Sequence, residues 1–137
     1  ALEWVQGDAE TLPFPDRSVD CVTIAFGLRN VTEPKNALKD AKRVLKRGGR
    51  FMCMEFSQVN DTVLRELYDA YSFNVIPALG AAVAGDAPSY QYLVESIRKF
   101  PDQETLASYM RDAGMEHVTY TNIMGGIVAI HSGFRMD

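Results

Sequence analysis

The sequence has little of what marks several common classes of protein. It contains two cysteines, Cys21 and Cys53, and two histidines, and neither pair has the spacing of a disulfide framework or a zinc site. Each cysteine lies inside an apolar run, which predicts buried, reduced thiols and a reducing compartment. We therefore expect no disulfide and no metal site.

Positive charge is not in excess either. The formal net charge is −4, whereas a domain that binds nucleic acid usually has a basic face. Basic residues cluster from Lys35 to Arg50, but this stretch has helical spacing, and cations near the C-terminal end of a helix interact favourably with its dipole. We expect a solvated helix face there and no nucleic-acid partner.

Long apolar runs and two common motifs are also missing. No apolar run approaches the roughly 20 residues that are needed to cross a bilayer. The sequence has neither a P-loop nor a Gly-x-Ser-x-Gly turn. These absences argue against P-loop nucleotide hydrolases and serine hydrolases of the α/β type.

Two apolar runs have the length and composition of buried strands, residues 19–26 and residues 50–56. Between them, apolar residues recur at helical spacing from 37 to 45. Thr32 is the expected N-cap of this helix and Gly48–Gly49 its expected end. A strand, a helix and a strand joined by short loops predict a right-handed parallel unit.

The second half of the chain has a different pattern. Apolar residues from Val63 to Tyr71 predict a helix that ends before Pro77, and the small apolar residues of 78–85 have no clear period. Ser89 and Asp102 are the expected N-caps of two further helices. These helices are inserted between the parallel unit and the end of the chain.

The chain ends in a predicted β-hairpin, in which residues 118–121 pair with residues 126–132. This order of elements predicts an α/β fold of the Rossmann-like, class I S-adenosylmethionine-dependent methyltransferase type, because a dinucleotide-binding oxidoreductase would continue with strand–helix repeats. We expect one domain, with core elements in 1–60, a helical lid in 61–100, and a helix and hairpin in 101–137.

Four stretches of sequence are more informative than the order of the elements. Residues 7–14 (GDAETLPF) and 43–50 (RVLKRGGR) have patterns that many methyltransferases of this class share. Residues 25–31 (AFGLRNV) and 90–98 (YQYLVESIR) are far more specific. Together they make the chain resemble the UbiE-type quinone C-methyltransferases over nearly its whole length.

The resemblance implies a site for S-adenosylmethionine, the methyl donor. Asp8 and Ala9 match the loop that holds the adenine, where a carboxylate accepts from the exocyclic amine and a small neighbour lets the base lie flat. Ala25 matches a position near the cofactor, where only its backbone can make the contact. The alternative for Asp8 is that it caps a turn after Gly7.

The start of the sequence lacks part of the family's cofactor site. Trp4–Val5 has the pattern of a strand end, but no glycine-rich turn and no acidic residue at the end of a second strand precede it. We therefore expect a domain truncated at its N terminus that binds cofactor weakly and is inactive by itself. Unpaired strand edges would favour a homodimer.

Arg29 and Asn30 are the expected catalytic residues. They follow the strand at 19–26, and the carboxyl ends of parallel strands face the ligand crevice. Methylation of a quinol ring carbon requires loss of a phenolic proton, but arginine is a poor base. The resemblance implies that Arg29 stabilises the developing phenolate or orients a water that takes the proton, while Asn30 positions a ring oxygen. The alternative is that both residues cap backbone groups.

The resemblance also implies a substrate pocket under the lid. Its expected residues are Phe26, Gly27, Tyr68, Tyr71 and Tyr90. For any single aromatic residue at helical spacing, a place in the core is the favoured explanation. His117 and His131 lie in the hairpin, remote from the cofactor edge, and are expected to be surface or core residues rather than general bases.

The partners follow from the same resemblance. Residues 55–60 and 131–134 lean toward the mitochondrial members of the family, which implies a polyprenyl benzoquinol substrate, a quinone-biosynthesis complex and the matrix face of the inner membrane. A bacterial member would be cytoplasmic. Two alternatives remain: a scaffold subunit of such a complex, and a methyltransferase that acts on another small molecule.

Overall fold

The computed structural model describes residues 1–59, 62–83 and 85–137, with Val83 described by its backbone only. Four strands form one mixed sheet in the order β1-β2-β4-β3. Strands β1 and β2 are parallel, and β4 is antiparallel to both β2 and β3. The predicted α/β fold with a terminal hairpin is confirmed. The strands are β1 (Val19–Ala25), β2 (Leu45–Phe56), β3 (Glu116–Ile123) and β4 (Val128–Phe134).

The described part of the chain contains five α-helices, and a π-helical turn (Tyr71–Val75) joins two of them. Short 3₁₀ turns occupy Leu28–Asn30 and Met124–Gly126. None of the described helices is long and apolar enough to span a membrane. The helices are α1 (Pro34–Val44), α2 (Thr62–Ala70), α3 (Ile76–Val83), α4 (Ala87–Lys99) and α5 (Gln103–Asp112).

The core lies where α1 and α5 pack against the sheet and against each other. Leu38 of α1 and Leu106 and Met110 of α5 are fully buried, as are Leu45 and Phe51 of β2. Burying a large aliphatic or aromatic side chain contributes about 1.5–3 kcal/mol. This cluster therefore fixes the two helices on the central strand.

Two expectations fail beside the edge strand β1. No strand forms at Trp4–Val5, and the Trp4 side chain is 88% exposed. Cys21, expected to be buried, is exposed on β1, whereas Cys53 on β2 is buried. A strand needs a neighbour for its backbone hydrogen bonds, and β1 pairs only with β2 among the described strands. An apolar composition alone therefore does not make Trp4–Val5 a strand.

The expected helix boundaries also shift. Glu33, not Thr32, is the N-cap of α1, with Pro34 as the first helical residue, and α1 ends at Val44, before Gly48–Gly49. The N-cap of α4 is Asp86, whose Oδ1 accepts the N–H of Ser89 at 3.1 Å. Ser89 therefore donates its N–H to the capping side chain and is not itself the N-cap. Asp102 caps α5 as expected, accepting from the N–H of Thr105 at 2.8 Å.

The helix predicted to end before Pro77 continues past it. Pro77 is the second residue of α3, and residues 78–83 are helical. The preceding turn is π-helical, with the N–H of Ile76 donating to the carbonyl of Tyr71. Proline has no N–H and crowds the carbonyl four residues before it, and a wider turn accommodates such a ring without ending the helix.

The cluster of basic residues is more than a solvated face. Arg43 of α1 pairs with Asp40 at 2.8 Å and Asp16 at 2.7 Å, and donates to the carbonyls of Leu12 and Phe14. The hydrogen bond from Arg43 holds the pKa of Asp40 below its usual value. Arg43 thereby fastens the loop before β1 to α1.

A buried polar network joins α5 to three other segments. The Gln103 amide donates to the carbonyl of Gln58 at 2.7 Å and to Oδ1 of Asn122 at 3.1 Å. The Gln103 carbonyl accepts from Nε2 of His131 at 2.8 Å, which requires the Nε2–H tautomer. His131 is thus a core residue, and burial lowers the pKa of its imidazole.

We predict that Gly126→Ala destabilises the protein by about 2–4 kcal/mol, because L-residues rarely adopt its backbone conformation and because of a steric clash. Gly126 has a φ of +103°, and an added Cβ would meet the carbonyl oxygen of Gln58. Gly48→Ala is the matched control, since Gly48 has a φ of +82° with open space around it. Urea unfolding should show a loss of about 1 kcal/mol for Gly48→Ala. Equal losses in the two variants would contradict the steric argument.

We predict that stability falls by about 1 kcal/mol between about pH 7.5 and about pH 5.5. Burial lowers the pKa of folded His131 below the ordinary value of 6.5, so the unfolded chain binds a proton that the folded protein excludes. The contribution of His131 to stability is therefore fully present above pH 6.5, the ordinary pKa of the imidazole, and is lost as the pH falls through that value. Urea unfolding should show that His131→Gln removes this dependence, whereas His117→Gln, at an exposed position, retains it. An unchanged profile in His131→Gln would refute the assignment.

Candidate functional site

The carboxyl ends of β1 and β2 meet at one edge of the sheet. The N–H of Phe26 donates to the carbonyl of Met54 at 2.8 Å, which extends the pairing by one residue past β1. Phe26 has a φ of +57°, in the left-handed region that non-glycine residues seldom adopt. The chain then turns through Leu28–Asn30, which brings Arg29 back to the end of β2.

Arg29 forms a buried ion pair with Glu55 of β2. Its Nη1 donates to Oε1 of Glu55 at 2.9 Å and to the carbonyl of Phe26 at 2.7 Å. The Arg29 and Glu55 side chains are 11% and 2% exposed. Glu55 also accepts the N–H groups of Phe56, at 2.9 Å, and of Arg29, at 3.3 Å. Both residues of the pair therefore have further hydrogen bonds to backbone groups, and such bonds stabilise a buried ion pair.

Arg29 retains donor capacity beyond this pair. Its guanidinium carbon lies 5.6 Å from the centroid of the Phe56 ring, and that ring lies 4.9 Å from the ring of Phe26. The Nε of Arg29 is buried and has no hydrogen-bond partner among the described residues. A fixed cation with a spare N–H can stabilise negative charge on a bound molecule.

Asn30 connects this edge to the lid. Its Oδ1 accepts from the hydroxyl of Tyr92 on α4 at 3.1 Å. Asn30 does not cap α1, whose N-cap is Glu33. Arg29 and Tyr92 line the same surface cleft between the 3₁₀ turn and α4. The two residues expected to be catalytic are therefore neighbours of a lid helix as well as of β2.

The expected cofactor residues lie beside α1 and the end of β1. Oδ1 of Asp8 accepts the N–H of Glu10 at 2.8 Å, so Asp8 does cap a turn. No described residue donates to its second carboxylate oxygen, and Ala9 lines an apolar cleft with Ile24 and Leu28. Ala25 is exposed at the last position of β1. A free carboxylate oxygen beside a small residue and an apolar cleft fits the amine and the flat face of adenine.

The lid covers a cavity of about 100 Å³ at the end of β2. Tyr68 lines it together with Phe56, whose ring stacks on Phe26. Tyr71 is half exposed and does not line this cavity. Tyr90 packs on Gly80, where an added Cβ would meet its ring. The structure thus brings Tyr68 to the cavity but not Tyr71, Tyr90 or Gly27.

Glu55 is a residue of this site that the sequence patterns did not predict. The available signal is a lone carboxylate in the apolar run of residues 51–56, since an unpaired charge is rarely buried. Cys53 on the same strand is inert, because burial and the charge of Glu55 raise the pKa of its thiol to about 12. The described residues contain no cluster of three metal-ligating side chains.

We predict that Glu55→Gln costs about 3 kcal/mol of unfolding free energy, because it leaves the Arg29 guanidinium buried without its counter-charge. Glu104→Gln, which removes the charge from an exposed pair with Arg111, should cost less than about 1 kcal/mol. Adding Arg29→Met to Glu55→Gln should restore part of the loss, measured by urea unfolding. A loss for Glu55→Gln no larger than for Glu104→Gln would contradict this account of the pair.

A family model described as the ubiE/COQ5 methyltransferase family matches residues 1–135. The mitochondrial 2-methoxy-6-polyprenyl-1,4-benzoquinol methylase of Mus musculus is 62% identical over 98% of this chain and 41% of its own length. The protein of the same name from Oryza sativa subsp. japonica is 60% identical over 98% of this chain and 46% of its own length. The chain spans less than half the length of these relatives.

The fold is shared with solved methyltransferases. An S-adenosylmethionine-dependent methyltransferase from Thermotoga maritima matches with a TM-score of 0.66 and 20% identity, covering 96% of this chain and 63% of that chain. At this identity the likeness concerns the fold, which is the class I, Rossmann-like methyltransferase fold. Because the family match covers nearly every residue, this chain belongs to the ubiE/COQ5 methyltransferase family.

Proposed function

We propose that the full-length protein containing this chain methylates a ring carbon of a polyprenyl benzoquinol in ubiquinone biosynthesis, with S-adenosylmethionine as the methyl donor. The names of the relatives support this substrate. The observation that carries the proposal is the buried Arg29–Glu55 pair at the carboxyl edge of the parallel strands. Ligands bind at this edge in open α/β sheets.

The chemistry needs an electron-rich ring. A phenol is a weak carbon nucleophile, whereas a phenolate pushes electron density onto the ring carbons. When bound, S-adenosylmethionine supplies an electrophilic methyl group. The protein's task is therefore to favour loss of the phenolic proton and to hold the ring in line with the methyl group.

Arg29 would serve the first task. Its position is fixed by Glu55 and by the carbonyl of Phe26, so no reorganisation is needed when charge develops on the substrate oxygen. Its unpartnered N–H would donate to that oxygen or to a water that takes the proton. Because arginine stays protonated, it would act as a fixed charge and not as a base.

Asn30 and the lid would serve the second task. The Asn30 side chain has two donors and one acceptor, and Tyr92 uses only the acceptor. The amide N–H₂ would then position a ring oxygen. Phe26, Gly27, Tyr68, Tyr71 and Tyr90 remain the proposed pocket residues, and the Phe26–Phe56 and Tyr68 contacts at the lid cavity support that role for two of them.

Asp8, Ala9 and Ala25 are the proposed cofactor-binding residues. Asp8 would accept from the adenine amine with its second oxygen, and Ala9 would lie against the base. We propose mitochondrial localisation from the names of the relatives. Attachment to the matrix face of the inner membrane, a quinone-biosynthesis complex and a homodimer are further parts of the proposal.

We predict that Arg29→Lys in the full-length protein lowers kcat by about 100-fold at saturating S-adenosylmethionine, because a lysine keeps the charge but loses the planar fork of donors. The assay measures methyl transfer to a polyprenyl benzoquinol that lacks the ring methyl group. Arg111→Lys on the exposed face of α5 is the matched control and should leave kcat unchanged. Undiminished turnover in Arg29→Lys, with an unchanged unfolding midpoint, would end the proposed role of Arg29.

A further inference from the structure

The cavity under the lid has an apolar wall and a small volume. It holds about 100 Å³, compared with about 150 Å³ for an engineered apolar cavity that binds benzene. It therefore has room for one edge of an aromatic ring. Its apolar lining is Phe56, Val59, Ile76, Leu93, Val94 and Ile97.

Ser72 is a buried polar group without a partner in this cavity. Ser72 is one of the residues that line the cavity, it is 5% exposed, and its Oγ has no hydrogen-bond partner among the described residues. An unsatisfied buried hydroxyl is destabilising, because the loss of its hydration is not offset by a hydrogen bond. Such a group in a mostly apolar lining points to a partner from outside the chain.

Other helical serines in the chain behave differently. The hydroxyl of Ser96 donates to the carbonyl of Leu93 at 2.9 Å, and that of Ser108 donates to the carbonyl of Thr105 at 2.6 Å. This bond to the preceding turn is the ordinary solution for a serine inside a helix. The hydroxyl of Ser72 makes no such bond.

The backbone at Ser72 is also unusual. Ser72 lies in the π-helical turn, and such turns occur frequently at functional sites. Tyr68 lies one turn before Ser72 and lines the same cavity, while Tyr71 is half exposed. The α2–α3 segment thus presents two hydroxyl-bearing side chains to one enclosed space.

One side of the cavity is closed by a charged contact between lid helices. The guanidinium carbon of Arg98 on α4 lies 3.6 Å from the centroid of the Phe73 ring, and its Nη2 lies 3.3 Å from Oδ1 of Asp69. Asp69 and Arg98 both line the cavity. These contacts hold α4 against the π turn, so the position of Ser72 relative to the apolar wall is fixed.

We propose that the hydroxyl of Ser72 hydrogen-bonds an oxygen substituent of a phenolic ring whose edge enters the lid cavity. The ligand class follows from the site, since a buried hydroxyl without a partner in a mostly apolar lining matches an apolar ring that carries an oxygen at that edge. This proposal rests on the proposed function, because a benzoquinol carries such oxygens. It adds Ser72 as a residue that selects the substrate and orients its ring.

Phenol and toluene test this pairing, because they have the same number of heavy atoms and differ in one hydroxyl. Each is titrated into the methyl-labelled full-length protein, and NMR shifts of the cavity-lining Ile76 and Leu93 methyl groups give the Kd. Ser72→Ala should weaken phenol binding about fivefold and leave toluene binding unchanged or tighter, the effect of about one net hydrogen bond. Ser108→Ala, whose hydroxyl is satisfied within α5, should alter neither ligand.

Ser72→Cys keeps the volume and a weak donor, so it should give an intermediate value for phenol. Equal changes for the two ligands in Ser72→Ala, no change for either, or no shift of the cavity methyl groups in the wild-type protein would each overturn the proposal. The titration involves no methyl transfer. Its failure is therefore distinct from failure of the proposed function, which the turnover of the wild-type protein and of Arg29→Lys decides.

Discussion

The buried Arg29–Glu55 ion pair holds the functional edge of this molecule together. Glu55 sits on the central strand β2, and Arg29 sits in the turn that follows β1, so the pair joins the carboxyl ends of the two parallel strands. A charged pair taken out of water is stabilised when hydrogen bonds fill its remaining sites. Backbone groups of Phe26, Phe56 and Arg29 itself fill several of them, and the Nε of Arg29 stays without a partner among the described residues, so the turn geometry and the pair depend on each other.

Helix α4 of the lid also contacts this edge of the sheet. Tyr92 of α4 reaches Asn30, and Arg98 of α4 contacts Asp69 and the ring of Phe73 beside the π turn. The Phe56 ring lies next to both the ring of Phe26 and the guanidinium of Arg29. The Arg29–Glu55 pair and the lid cavity are therefore adjacent, because the Phe56 ring contacts Arg29 and also lines the cavity. A ring that is polar at one end and apolar at the other suits such an arrangement.

The polar network beside the carboxyl end of β2 has a structural role. Gln103 joins the chain after β2 to β3 and β4, and His131 completes the network from the hairpin. The neutral state of His131 follows from its burial, because an imidazolium there would lack solvent. The hairpin thus stabilises the strand that carries Glu55.

The sequence by itself determined the fold class, the parallel strand–helix–strand unit and the terminal hairpin, because hydrophobic periodicity and local turn residues encode them. It also identified Arg29 and Asn30 as neighbours of a strand end. Only the tertiary structure decided that Arg29 is paired with Glu55, that Cys21 is exposed, and that the helix continues past Pro77. Each of these depends on which segments meet in space. The partner of Arg29 is a carboxylate 26 residues away, β1 has no described strand on its other side, and the turn before Pro77 is wider than an α-helical turn. Local sequence patterns carry no information about such contacts, which is why the buried pair and the unpartnered Ser72 became apparent only in the folded chain.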